Sequence, residues 1–214
     1  MPRSKRYCPA GMVFHCLNRS VAQMTLFEKE GDYEAFESII LEALERVPIR
    51  ILEYTIMPNR WHFVVWPETH MQTSDFFYYL TSIHAARWHS HHGTWGTGHL
   101  YQGRFKSFPV QEDDHLLSVL RYVQRNPRRA GLVSEAELWK WGSAWRRHSL
   151  EHDFLSDWPV RIPSEWREHV NRPQTEAELA ALRGCVQKGT PFGDREWVRS
   201  TAARLGLKNT LRSR

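Results

Sequence analysis

The chain has 214 residues, of which 41% are apolar and 13% aromatic: enough for one well-buried domain with an appendage, and too apolar for a disordered segment. Lysine and arginine outnumber aspartate and glutamate by 29 to 24, a net charge of +5 that makes the placement of charge more telling than its total. No apolar run approaches the roughly 18 residues that span a bilayer, and no apolar leader follows the charged N-terminus, so a membrane span is excluded and a cytoplasmic location is expected.

Positive charge gathers at Arg3–Arg6, Arg121–Arg129, Arg146–Arg147 and Arg199–Arg214, and acids gather in 28–45 and 151–178. A basic face with an acidic back suits a polyanion. Ten tryptophans could serve a core, or stack on unpaired bases. Cys8, Cys16 and Cys185 form an odd set without metal-ligand spacing, as expected in a reducing compartment.

Residues 12–18 are a short β-prone run. From Asp32 to Val47, Tyr33, Phe36, Ile39, Ile40, Ala43, Leu44 and Val47 recur at helical spacing, which predicts an amphipathic helix. Residues 49–56 read as a strand, Met57-Pro58-Asn59 as a turn, and Trp61 to Trp66 as a second strand stopped by Pro67. A second helix is predicted over Asp75 to His91, with Phe76, Tyr79, Leu80, Ile83 and Ala86 on one side. A glycine-rich loop (Gly93 to Gly103) leads into a strand at Phe105 to Val110. Glu112-Asp113-Asp114 starts a third helix with acids at its positive end, and Pro127 ends or bends it. The order β–α–β–β–α–β–α predicts an α+β fold: a ferredoxin-like antiparallel sheet of βαββαβ type with helices on one face. Beyond about 150, prolines at 159, 163, 173 and 191 separate short helical pieces, so residues 1–150 are expected to form the main domain and 151–214 a basic, mostly helical extension.

Two segments could carry chemistry. On a strand, alternate residues share a face, so Arg60, His62 and Val64 point one way and Trp61, Phe63 and Val65 the other. A His-x-His pair there would offer two imidazoles to a divalent ion, but this chain has Arg60-x-His62. On the third helix, Tyr122 and Asn126 lie one turn apart and share a face, while Gln124 points elsewhere. Arg121, Arg125, Arg128 and Arg129 surround that tyrosine; guanidinium groups suit phosphate recognition. Arg104 and Lys106, alternating outward on the Phe105–Val110 strand, are further phosphate contacts, and Phe108 is a core residue or a base-stacking one.

Four stretches resemble the REP-associated tyrosine transposases, a branch of the HUH single-strand transposases. They are Val13-Phe-His-Cys-Leu-Asn-Arg19, Met57-Pro-Asn-Arg-Trp-His-Phe-Val-Val-Trp-Pro67, Gly98-His-Leu-Tyr-Gln-Gly-Arg-Phe-Lys-Ser-Phe-Pro-Val-Gln111 and Arg121-Tyr-Val-Gln-Arg-Asn-Pro-Arg-Arg-Ala-Gly-Leu-Val133. The resemblance covers about residues 7–147 in order and spacing. It implies that Tyr122 attacks a DNA phosphodiester to form a 5′-phosphotyrosine link. It also implies Mg²⁺ or Mn²⁺ held by the strand histidines and Asn126, and a monomer acting on single-stranded hairpins of extragenic repeats. The basic N-terminal residues and C-terminal tail would grip that hairpin.

Arg60 departs from this pattern, because the family's first histidine falls at its position. Arginine offers only donors and cannot ligate a cation, which leaves His62 and Asn126 as the metal ligands. Three readings follow: a weakened or cleavage-deficient protein that still binds hairpins, as a regulator would; an Arg60 that contacts the phosphate and partly replaces the metal's charge; or a substitute ligand from His89–His92 or His99. An RNA-binding domain on the same scaffold would leave the tyrosine helix without a purpose.

Overall fold

The computed structural model describes residues 8–149 and 154–212; the basic cluster at Arg3–Arg6 lies outside them. In chain order the elements are β1 (Val13–Arg19), α1 (Glu30–Arg46), β2 (Arg50–Met57), β3 (Arg60–Trp66), α2 (Gln72–His92), β4 (Lys106–Val110), α3 (Asp114–Gln124), α4 (Asn126–Arg129), α5 (Ser143–Ser149), α6 (Trp166–Asn171), α7 (Glu176–Lys188) and α8 (Arg195–Arg204). The strands form one antiparallel sheet in the order β2-β3-β1-β4, which is the ferredoxin-like arrangement. Among the described residues no helix is long and apolar enough to cross a membrane.

The pleat sorts the side chains of the central strands. Phe14 and Cys16 of β1 and Trp61, Phe63 and Val65 of β3 pack under α1 and α2, against Phe36, Ile39, Ile40, Phe76, Phe77 and Leu80. Trp61 stacks on Phe77 with ring centroids 5.2 Å apart, and each such buried ring contributes roughly 2–3 kcal/mol of hydrophobic stabilisation. Val13, Val64, Phe108 and Val110 face the opposite way, where they meet Leu116, Val119, Leu120 and Val123 of α3 and Leu179 and Leu182 of α7. The expectation of helices on one face therefore holds for the two crossover helices and stops there. Helix α3 and the C-terminal segment cover the second face, because β1 and β3 are apolar on both sides.

The segment after 154 packs as part of that second core. Arg121, expected on the DNA side, is buried and donates to the carbonyls of Arg172 (2.9 Å) and Pro173 (3.2 Å) while facing Glu178 at 3.4 Å. Arg128 donates to the carbonyl of Asn171. Arg147 and Trp158 both donate to the Leu52 carbonyl, each at 2.8 Å. The segment also closes both outer strands. Phe192 exchanges backbone hydrogen bonds with Pro109 and Gln111 beside β4 (2.9 Å each), and on the β2 side the amide of Ser156 donates to the Ile51 carbonyl (2.8 Å).

A bulge between Ile51 and Glu53 turns both Leu52 and Glu53 toward α3. Glu53 is fully buried and accepts from Gln124 Nε2 at 2.9 Å, and Gln124 Oε1 in turn accepts from Trp166 Nε1 at 3.0 Å. Burial raises the Glu53 carboxyl from 4.5 to about 7; Arg147, Ser143 and Gln124 oppose that rise. A folded-state value above the unfolded one means that protonation favours the fold. The contribution is complete below about pH 4.5 and is lost as pH rises through about 7. Its full size is on the order of 3 kcal/mol. Glu53→Gln should remove this dependence: its melting temperature relative to the wild type should be several degrees more favourable at pH 8 than at pH 5. An equal difference at both values would contradict the assignment.

Candidate active site

The face under α3 carries two histidines from neighbouring strands. Because β1 pairs with β3, with Leu17 opposite His62 and His15 opposite Val64, the pleat puts His15 and His62 on the same side one step apart. Their rings stack at 5.2 Å with planes 9° apart, and His15 Nε2 lies 3.1 Å from His62 Nδ1 in a hydrogen bond. Both are buried. Burial holds His15 down at about 3; burial, then His15, Arg60 and Arg129, hold His62 well below its ordinary range, so both rings are neutral.

Tyr122 closes over this pair. Its ring meets those of His15 and His62 edge-on, at 6.1 Å and 6.0 Å, and Phe108 meets His15 edge-on at 4.9 Å. Phe108 is thereby a core residue. The Arg129 guanidinium lies over the other side of the Tyr122 ring, 4.4 Å from its centroid, and also donates to Asn126 Oδ1. Helix α3 ends at Gln124 and Pro127 interrupts the donor pattern, yet Arg129 N still bonds Arg125 O and Ala130 N bonds Asn126 O. The helical path therefore continues through α4, and Tyr122 and Asn126 reach the same place, joined by Arg129.

Arg60 stands at the edge of this site, directly opposite Arg19 in the β1–β3 register. Burial lowers the Arg60 guanidinium from its ordinary range; Tyr122 counters this, and Arg129 and Arg19 add to it. Burial likewise lowers Arg129, again countered by Tyr122. A groove of about 310 Å³ is lined by Arg19, Arg104, Lys106 and Arg183, with Asn18 and Gln102 between them. Arg183, on α7, also acts on the charge of Arg129. Of the basic residues expected to contact DNA, Arg60, Arg104, Lys106 and Arg129 lie here. Arg121 and Arg128 are turned to the C-terminal segment, and Arg125 is buried.

A divalent cation needs lone pairs, and this site offers few. The Asn126 oxygen gives one of its two lone pairs to Arg129, and buried Nδ2, a donor, has no acceptor among the described residues. The His15–His62 hydrogen bond uses one of the two lone pairs that the neutral rings carry between them, and Arg60 has none to give. Among the described residues no three histidine, cysteine, aspartate or glutamate side chains converge in a metal-binding arrangement. That is a poor set for Mg²⁺ or Mn²⁺, which favour several oxygen ligands. Of the histidines proposed as substitutes, His89 bonds Thr94 (2.8 Å) and His92 stacks on Trp88, on a helix that covers the other face of the sheet.

His15, Arg19 and Arg183 escape a reading by local motif. His15 could have been found by combining two facts already in the sequence pattern, that β1 neighbours β3 in this topology and that alternate residues share a face.

Residues 9–126 match the family model described as "Transposase IS200 like", a span that ends at Asn126 and includes His15, Arg60, His62 and Tyr122. No curated protein matches the chain. Among solved structures, the chain is similar to a REP-associated tyrosine transposase bound to a REP hairpin: 17% identity, 77% of this chain, 94% of that chain, TM-score 0.56. It is also similar to a putative transposase from Deinococcus radiodurans R1, at 17% identity over 58% of this chain and 96% of that one, TM-score 0.40.

The stacked pair makes a stability prediction. His15→Ala deletes a buried ring beneath Tyr122 and strands His62 Nδ1, and should cost about 2–4 kcal/mol by urea denaturation. A cost under about 1 kcal/mol would show that the pair does not support the site.

Proposed function

The chain belongs to the IS200-like transposase family, and from that premise we propose that it cuts and rejoins single-stranded DNA with Tyr122 as the nucleophile. The observation that carries this reading is the setting of the phenol: on α3, between a neutral histidine pair and the Arg129 guanidinium, beside a groove lined by four cations. A phosphodiester following that groove meets the tyrosine where positive charge is densest.

In the proposed reaction the Tyr122 oxygen attacks phosphorus, the P–O3′ bond breaks, and a 5′-phosphotyrosine ester forms with release of a 3′-hydroxyl. The phenol proton passes through water to the departing 3′ oxygen. The reverse attack by another 3′-hydroxyl would rejoin strands. His15 and His62 hold the underside of the ring, and Arg129 fixes its upper side and the Asn126 amide. Hairpins of REP type are the proposed substrate, supported by the fold shared with a transposase bound to a REP hairpin. We take the protein to act as a monomer in the cytoplasm. Arg60 favours a second reading, a cleavage-deficient hairpin binder, because it stands where the family places a metal ligand.

Labelled single-stranded hairpins separate the two. Wild type should leave a covalent protein–DNA adduct on a denaturing gel, and Tyr122→Phe should abolish it while hairpin affinity, read by anisotropy, changes less than about threefold. An adduct that survives Tyr122→Phe would remove this tyrosine from the chemistry. Tight hairpin binding without adduct under any condition would establish the binder.

A further inference from the structure

We propose that Arg60 and Arg129 form a guanidinium clamp that takes the place of a divalent cation at the scissile phosphate, an inference that rests on Tyr122 being the nucleophile. Three independent features of the site lead there.

The first is an excess of donors over acceptors. With its oxygen accepting from Arg129, buried Asn126 presents an N–H that no acceptor satisfies among the described residues. A buried unsatisfied donor is costly, and an anion bound beside it would recover that cost. The second is charge without a counter-charge. The like charges of Arg129 and Arg19 act on Arg60, and that of Arg183 on Arg129; among the described residues no carboxylate acts on either. Arg146, by contrast, is paired with Glu37 at 2.6 Å. Like charges gathered without acids are relieved by a phosphodiester and aggravated by a cation. The third is the fate of the lone pairs. The His15–His62 hydrogen bond uses one of the two lone pairs the neutral rings carry between them, and Arg129 uses one of the two on the Asn126 oxygen, so the set left beside Arg60 is a depleted one.

Two guanidinium forks can each donate a pair of hydrogen bonds to non-bridging phosphate oxygens, and those bonds strengthen as negative charge accumulates in the transition state. The clamp donates hydrogen bonds only. The proton still travels from the phenol to the departing 3′ oxygen, and no metal-bound group takes part.

The test measures adduct yield from a single-stranded hairpin in EDTA, Mg²⁺ and Mn²⁺ for wild type, Arg60→Gln, Arg129→Gln, Arg60→His and Tyr122→Phe, with Mn²⁺ binding measured by calorimetry. Wild type should react in EDTA within about twofold of its rate in Mg²⁺, and should bind Mn²⁺ no tighter than millimolar. Arg60→Gln and Arg129→Gln should each slow adduct formation by roughly 10²–10³-fold while hairpin affinity falls less than about fivefold. Arg60→Lys, which keeps the charge and loses the fork, should fall between, and guards against a variant that fails to fold. Wild-type cleavage abolished by EDTA and restored by Mg²⁺ would overturn the clamp and leave the nucleophile standing. So would an adduct seen only for Arg60→His with Mn²⁺. An adduct from no variant under any condition would overturn the nucleophile itself.

Discussion

The strand pair β1–β3 is buried on both faces, and everything at the site depends on what that permits. A two-faced strand cannot afford polar side chains unless they satisfy one another. His15 and His62 meet the requirement by bonding across the register, and burial keeps both rings neutral in a place where a charged imidazole would be expensive. Tyr122 can then pack flush on an aromatic surface in place of an open cavity. The same bond uses one of the pair's two lone pairs, so a cation that settled there would find only one. Stability and chemical character therefore come from one contact.

Arginine is used in two ways along α3 and α4. Arg121 and Arg128 have turned away from the sheet and hold the backbone of the C-terminal segment through its carbonyls. Arg129 lies on the tyrosine and has no acid partner among the described residues. Sequence spacing separates these roles only once the neighbours are known. On a helix packed on one side by strands and on another by α6 and α7, residues 121, 125 and 128 meet protein, and residue 129 meets the site. Density of positive charge in a sequence measures the demand for partners as much as the presence of DNA.

The framework was legible from pattern alone. Apolar periodicity located the first three helices and the strands to within three residues, and their order specified the sheet, because period 2 and period 3.6 are imposed by backbone geometry. Alternation also assigned the faces of Trp61, His62 and Phe63 correctly. The second helical layer was not legible, since short, proline-separated pieces carry little periodicity and Leu179 and Leu182 find their partners about sixty residues upstream. At the site, Tyr122 and Arg60 announced themselves through local motif. His15 did not, because its significance lies in a neighbour 47 positions away. Nor could spacing show that Arg129 would capture the Asn126 oxygen and reverse what that amide has to offer.

The Phe192 and Ser156 contacts that seal the outer strands have a consequence for how the molecule is made. Synthesis proceeds from the N-terminus, so the sheet, both histidines and the tyrosine helix leave the ribosome before the β4 edge has its cover. Until residues beyond 154 emerge, β4 presents open backbone, β2 is covered only by residues 139–143, and Leu116 and Val119 lack part of their packing. A message cut short near codon 150 would release a chain holding the tyrosine, both histidines and one sticky flank. The C-terminal segment thus couples the closing of the β4 edge to translation of the residues beyond 154.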